Sequence, residues 1–187
     1  MKKFFYNTLM MAIIAMAAFS FSSCEDAEIA RTLEGTWKGN MYISTYYDGY
    51  SYDATYTEIT FLKDPYAYSS GNGYWVDYYS NAPWDYVANH IDWKVDFGTI
   101  YIYFREEGTS LRISDYYLND DRFHGTLDDN GYLVDFELYH TSSPNLNNYN
   151  YWGYDDWYGY YSRTRSAGAS DSTAVEKPRR YVRGKQD

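Results

Sequence analysis

Cysteine is almost missing from this chain: Cys24 is the only one. No intramolecular disulfide can form, so the fold must stand on packing alone. Beyond the N-terminal segment there is no apolar run approaching the ~20 residues that a membrane-spanning helix needs. Basic residues are scarce in the body of the chain. Residues 24–162 carry 23 Asp or Glu against seven Lys or Arg, a formal −16. Such a surface repels phosphates, which argues against nucleic acid as a partner. No Gly-x-Ser-x-Gly motif and no phosphate-binding glycine loop occurs, so an enzyme is not expected. The three histidines, His90, His124 and His140, are far apart and form no short ligand pair. No metal site and no cofactor is therefore expected.

Residues 1–23 have the layout of a bacterial secretion signal. A basic head (Lys2, Lys3) precedes an apolar run from Met10 to Ala18 and the small pair Ser22-Ser23. With Cys24 directly after that pair, the segment looks like a lipoprotein signal, in which the thiol becomes the first mature residue and carries lipid. The competing reading is an uncleaved anchor helix over Lys2–Phe21, for which the apolar core is short. One acyl chain binds a membrane weakly, so stable anchoring takes more than one chain on Cys24. Residues 24–32, with Glu25, Asp26 and Glu28, read as an acidic linker between lipid and domain.

Aromatic residues are abundant, with 26 Tyr, nine Phe and six Trp. Tyrosine buries its ring while its hydroxyl stays wet or bonded, which suits a thin-walled β structure. From Leu33 onward apolar residues recur with period two, the strand signal. Trp37, Met41 and Ile43 share a face in the first run, and Thr55, Thr57, Ile59 and Phe61 in the second. Tyr74, Val76 and Tyr78 fall together in the third. Ile91, Trp93, Val95 and Phe97 alternate with polar residues, as do Ile100, Ile102 and Phe104. Leu111, Ile113, Asp115 and Tyr117 form the next face, followed by Phe123, Gly125 and Leu127, and by Val134, Phe136 and Leu138. Asp48-Gly49 and Asn130-Gly131 are hairpin signals, because these residues accept positive φ. Eight strands joined mostly by short turns predict an all-β fold, an eight-stranded antiparallel up-and-down barrel over residues 33–140. A β-sandwich is the alternative, and only Ser80–Asn89 offers the longer crossover it needs.

The segment Leu33-Glu34-Gly35-Thr36-Trp37-Lys38-Gly39 resembles the opening Gly-x-Trp strand of lipocalin-like domains. With Trp93-Lys94-Val95 before Ile100-Tyr101-Ile102, then Phe123-x-Gly125-Thr126-Leu127 and Phe136-x-Leu138, the order resembles the lipocalin-like lipoproteins of Bacteroides and Prevotella. That resemblance implies an eight-stranded barrel with room for a small-molecule pocket. It also implies a structural, barrel-closing role for Trp37, packed under an arginine near the end of the last strand. Here the first arginines after Leu138 are Arg163 and Arg165.

Residues 141–162 are rich in Tyr, Trp and Asn, and residues 163–187 read as a basic, disordered tail. Exposed rings stack on sugars and anchor protein interfaces. The candidate binding surface is therefore Tyr151, Trp152, Tyr154, Trp157 and Tyr158, joined by Trp75 and Trp84. The paired acids Glu106-Glu107, Asp120-Asp121, Asp128-Asp129 and Asp155-Asp156 fall in expected turns, where turn chemistry is the reading. An enzyme would need polar groups converging in a cleft, with Asp115, on the Leu111 and Ile113 face, among them. The expectation is a non-catalytic, membrane-anchored envelope lipoprotein of unknown oligomeric state that binds a small apolar molecule or a glycan. The alternative is an accessory lipoprotein that binds another envelope protein and has no pocket. Cys24→Ala should release the protein from the membrane fraction; retention of the variant, with no acyl mass on the wild type, would reject the anchor.

Overall fold

The computed structural model describes residues 24–141 and 179–183. A helix, α1, runs over residues 24–33. The strands are β1 (Gly35–Asn40), β2 (Ile43–Tyr47), β3 (Tyr50–Asp53), β4 (Tyr56–Lys63), β5 (Ser70–Tyr78), β6 (Tyr86–Asp96), β7 (Thr99–Phe104), β8 (Thr109–Leu118), β9 (Arg122–Asp129), β10 (Tyr132–Thr141) and β11 (Arg179–Val182). Eight of them close a barrel in the order β1-β10-β9-β8-β7-β6-β5-β4, every pair antiparallel. The expected barrel is present. β11, β2 and β3 form a separate three-stranded sheet.

Local chemistry sets the hairpins. Asp48-Gly49, Phe97-Gly98 and Asn130-Gly131 all have positive φ at both residues. That pattern belongs to two-residue turns whose twist matches the flanking strands. Phe97 is therefore a turn residue, 72% exposed, and not a member of the inward face with Val95. A bulky side chain is strained at positive φ. The Asp26 carboxylate of α1 compensates by accepting the Phe97 N–H at 3.1 Å and the Gly98 N–H at 2.8 Å.

Two long apolar runs break where the sequence shows only continuity. The run from Trp37 to Thr45 splits at Tyr42, whose φ is 52°. Its N–H donates to Asn40 Oδ1 at 2.7 Å. This bend turns the chain out of the barrel wall, and the β2–β3 hairpin crosses the barrel mouth before Ala54-Thr55 leads into β4. A second irregularity is a bulge in β8 between Ser114 and Tyr117, with Asp115 at φ 48°. Beyond it the alternation shifts by one residue. Tyr116 turns toward Phe123, with ring centroids 5.9 Å apart, while Asp115 and Tyr117 are exposed. The inward placement of Asp115 and Tyr117 is corrected by that bulge.

The interior is filled by side chains. Trp37 meets Phe123 edge-on at 5.7 Å, Phe61 meets Trp93 at 5.6 Å, Trp75 meets Phe104 at 5.2 Å and Phe123 meets Phe136 at 5.0 Å. Edge-to-face contacts of this kind each add about 0.5–1.5 kcal/mol beyond area burial. The end nearest α1 is sealed by that helix, whose Ala30 and Leu33 are fully buried. Residues 24–32 are thus helical and packed on the barrel, not an extended linker. Among the described residues no helix is long and apolar enough to cross a membrane. The tail expectation is corrected for residues 179–182, which form β11 on the edge of β2.

Asp26→Ala should lower stability by about 2 kcal/mol, the value of two hydrogen bonds to a charged acceptor less their exchange with water, read from a urea midpoint. Phe97→Asn should act in the opposite direction, since Asn tolerates positive φ better than Phe.

Candidate functional site at the barrel mouth

Most of the buried polar side chains, Ser44, Thr45, Thr57, Asp77, Asn89 and Asp128, lie toward the end opposite α1. β5 alternates so that Trp75 and Asp77 point inward, with Tyr79 just past its end also buried. The outward residues of that strand are Tyr74, Val76 and Tyr78. In the β4–β5 register Thr57 lies opposite Asp77. Its hydroxyl donates to Asp77 Oδ1 at 2.6 Å, and the Trp75 indole N–H donates to the same oxygen at 2.9 Å. Asp77 Oδ2 is buried and has no hydrogen-bond partner among the described residues.

Above Asp77 lies Arg180 of β11. Alternation sends Arg180 and Val182 toward the barrel and leaves Arg179 and Tyr181 outside. Arg180 Nε donates to Glu107 Oε1 at 3.0 Å and Oε2 at 3.2 Å. The guanidinium carbon stands 3.6 Å from the Phe104 ring centroid and 5.3 Å from that of Trp75. Glu107 is oriented further by Asn89, whose side-chain amide donates at 2.9 Å. Its neighbour Glu106 is bonded instead to His90, through the backbone N–H at 2.8 Å and Nδ1 at 2.5 Å. Turn position thus separates the two acids of that pair, one to each side of the β7–β8 turn. Beside Arg180 a cleft of about 200 Å³ opens between Phe104, Glu107, Leu111, Asn130 and Val182.

Burial pushes the Asp77 carboxyl up to about 6, opposed by the Arg180 charge and by the hydrogen bonds from Thr57 and Trp75. Burial also raises the Tyr79 phenol, and the Asp77 charge raises it further. Burial works against the Arg180 charge, but Glu107 and Asp77 outweigh it, so the guanidinium stays protonated. The mouth therefore holds a cation between two carboxylates and two aromatic faces, an arrangement suited to holding positive charge.

Of the expected binding-surface residues, the described ones are Trp75 and Trp84. Trp75 is fully buried inside the barrel, and Trp84 is buried against Tyr47, Tyr52 and Tyr79. Neither offers an exposed face: Phe104 and Arg180 lie against Trp75, and Tyr47 and Tyr52 of the β2–β3 hairpin lie against Trp84. Tyr151, Trp152, Tyr154, Trp157 and Tyr158 lie outside the described residues. Trp37 is fully buried at the closed end; its indole donates to Leu33 O at 2.8 Å and its ring lies 4.8 Å from His140. His140 stands where the lipocalin resemblance implied an arginine. Cys24 is exposed at the first described position. The three histidines contact Glu106, Tyr117 and Trp37 respectively and do not converge. Among the described residues no group of three metal-ligating side chains occurs. Asp128 serves its turn, accepting the Gly131 N–H at 2.7 Å.

Of the residues that make up the mouth, Glu107 is expected from sequence only as a turn acid, and Asp77, Asn89 and Arg180 are not expected as site residues at all. Asp77 had a faint signal. It shares the Gly73 and Trp75 face of β5, opposite Tyr74, Val76 and Tyr78, so placing Trp75 inside the barrel instead of on a binding surface carries Asp77 inward with it. Arg180 had none.

The sign of the Asp77 effect follows from linkage. Its folded value lies above the unfolded one, so between about pH 4 and 6 the native state binds more protons than the unfolded state, and stability falls as pH rises. Arg180 and Glu107 face the same group, and Tyr79 feels its charge in turn. Asp77→Asn should raise the melting temperature above that of the wild type at pH 7–8, by the equivalent of roughly 3 kcal/mol. The difference should vanish below pH 4, and a constant difference across that range would refute the assignment.

Residues 33–125 match the family model of the lipocalin-like domain, which agrees with the closed eight-stranded barrel and with the Gly35-Thr36-Trp37 opening. No curated protein and no solved structure matches the chain. What the match supports is a ligand-binding type of barrel, typically a non-catalytic fold.

Proposed function

We propose that the protein is a lipid-anchored, non-catalytic envelope protein that recognises its target at the covered mouth of the barrel. Cys24 supplies the anchor in this reading and is itself the first residue of α1, so the closed end faces the membrane and the mouth faces away. The observation that carries the site is the division of the barrel into a filled apolar body and a polar mouth. Trp37, Phe61, Trp75, Phe104 and Phe123 are each fully buried in the core. A small apolar ligand in the body would have to displace well-packed rings, at several kcal/mol for each side chain moved. The mouth differs. It holds buried polar groups, an adjacent cleft and a cover made of strands outside the barrel. An envelope protein or another polar target fits this end better than a lipid-like molecule fits the body.

Hydrogen exchange on the detergent-extracted protein, with and without the molecule that co-purifies with it, tests this. Protection should rise at residues 43–53, 79–85 and 105–108. Protection confined to the middles of β6 and β7, around Trp93 and Ile102, would place the ligand inside the barrel and reject the proposal.

A further inference from the structure

Resting on the reading of the mouth as the recognition end, we infer that the mouth is a guanidinium-specific seat for an extended, arginine-bearing peptide, and that the chain's own β11 is its resident occupant. The seat has three parts. Asp77 and Glu107 supply negative charge, and Glu107 meets Arg180 through both of its oxygens. Phe104 and Trp75 supply ring faces at 3.6 and 5.3 Å from the guanidinium carbon. The edge of β2 supplies the backbone, pairing Arg179↔Tyr46 through Val182↔Ile43, with Arg183 N–H continuing onto Tyr42 O at 2.9 Å. Strand addition to a sheet edge gives affinity through the main chain, and pockets for alternate side chains give specificity. Here the alternate positions are Arg180 and Val182.

Two observations indicate an occupant and not a wall. β11 pairs with β2 alone and contributes nothing to the barrel ladder, so its departure leaves all eight barrel pairings intact. And the seat is imperfectly used by the residue in it. Asp77 is fully buried, yet its Oδ2 has no partner among the described residues, and Arg180 Nε is committed to Glu107. A guanidinium placed deeper could donate to both carboxylates, as its planar fork allows and an ammonium does not. The outer contacts of β11 are exchangeable in kind: Tyr181 Oη with Ser51 at 2.5 Å, Tyr132 Oη donating to Arg183 O at 3.0 Å, and the Arg183–Asp53 ion pair at 2.9 Å. Because the resident strand is tethered, it competes at high effective concentration with any incoming strand.

The test uses the full-length chain with Arg180→Ala, which removes the resident guanidinium, keeps both carboxylates and leaves β11 held by its backbone pairing with β2 and by Tyr181, Val182 and Arg183. A fluorescent peptide of the sequence Arg-Arg-Tyr-Val-Arg should bind this variant at least tenfold more tightly than it binds the wild type, in which β11 competes. The same peptide with Lys at its second position should bind at least tenfold more weakly. Methylguanidinium should raise the melting temperature of the variant and leave the wild type unmoved, and methylammonium at equal concentration should move neither protein. Equal binding of the Arg and Lys peptides, equal response of variant and wild type, or no saturable binding would each overturn the inference. If Arg180→Ala does not melt cooperatively, Arg180→Lys takes its place under the same tenfold criteria. The two levels separate cleanly. Loss of guanidinium preference with exchange protection still at the mouth defeats only the ligand class, while protection elsewhere defeats the mouth as the site.

Discussion

Closing eight strands into a barrel removes every sheet edge but leaves two open ends. With no disulfide available, both ends must be sealed by packing, and the rest of the molecule follows from how this is done. At one end the seal is apolar and local. α1 leads straight into β1, Leu33 is buried beneath Trp37, and the indole N–H is satisfied by the Leu33 carbonyl four residues back. Gly35, at φ 133°, makes the turn from helix to strand where the His140 ring leaves no room for a Cβ. Asp26 ties the same helix to the β6–β7 turn. Helix and closed end thus form one continuous piece of structure.

The other end is sealed by polar and long-range contacts. The cover consists of a hairpin inserted between two neighbouring barrel strands and a strand from the far end of the chain. Its chemistry is costly. Burying a carboxylate and a guanidinium strips both of water, and the pair repays this only through good geometry and added hydrogen bonds. Thr57, Trp75 and Asn89 provide those bonds, and the rings of Phe104 and Trp75 favour the cation further. A cover meant only to exclude water would be built more cheaply from apolar side chains. The charge buried at this end is what supports the proposed recognition role.

The outer wall carries the tyrosines that the interior has no room for. Tyr56 stacks on Tyr78 at 4.5 Å, Tyr78 lies 6.0 Å from Tyr86, and Lys38 sits 4.0 Å over the Tyr56 ring. Rings on neighbouring strands shield the backbone ladder while their hydroxyls reach water. This explains the heavy use of tyrosine in a barrel this small, and it accounts for the Tyr74, Val76 and Tyr78 face as an outer one.

Most of the barrel could be read directly from residue order. Period-two alternation in β4, β6, β7, β9 and β10, together with the Asp48-Gly49 and Asn130-Gly131 turns, is local information, because a strand's two faces and a hairpin's φ values are decided within a few residues. Those features determined the eight strands of the barrel and their antiparallel closure, whereas the structural role of Trp37 was implied by the resemblance to lipocalin-like openings. Tertiary structure decided everything that depends on distant partners: the bend at Tyr42 that lifts β2 and β3 off the wall, the bulge that exchanges Asp115 for Tyr116, the helix made from an acidic stretch once Ala30 and Leu33 had a barrel end to bury against, and the seat in which Arg180 meets Asp77 and Glu107. The physical reason is the same in each case. Backbone preference acts between neighbours, whereas the burial of a charge is settled only by the groups that the closed barrel brings around it.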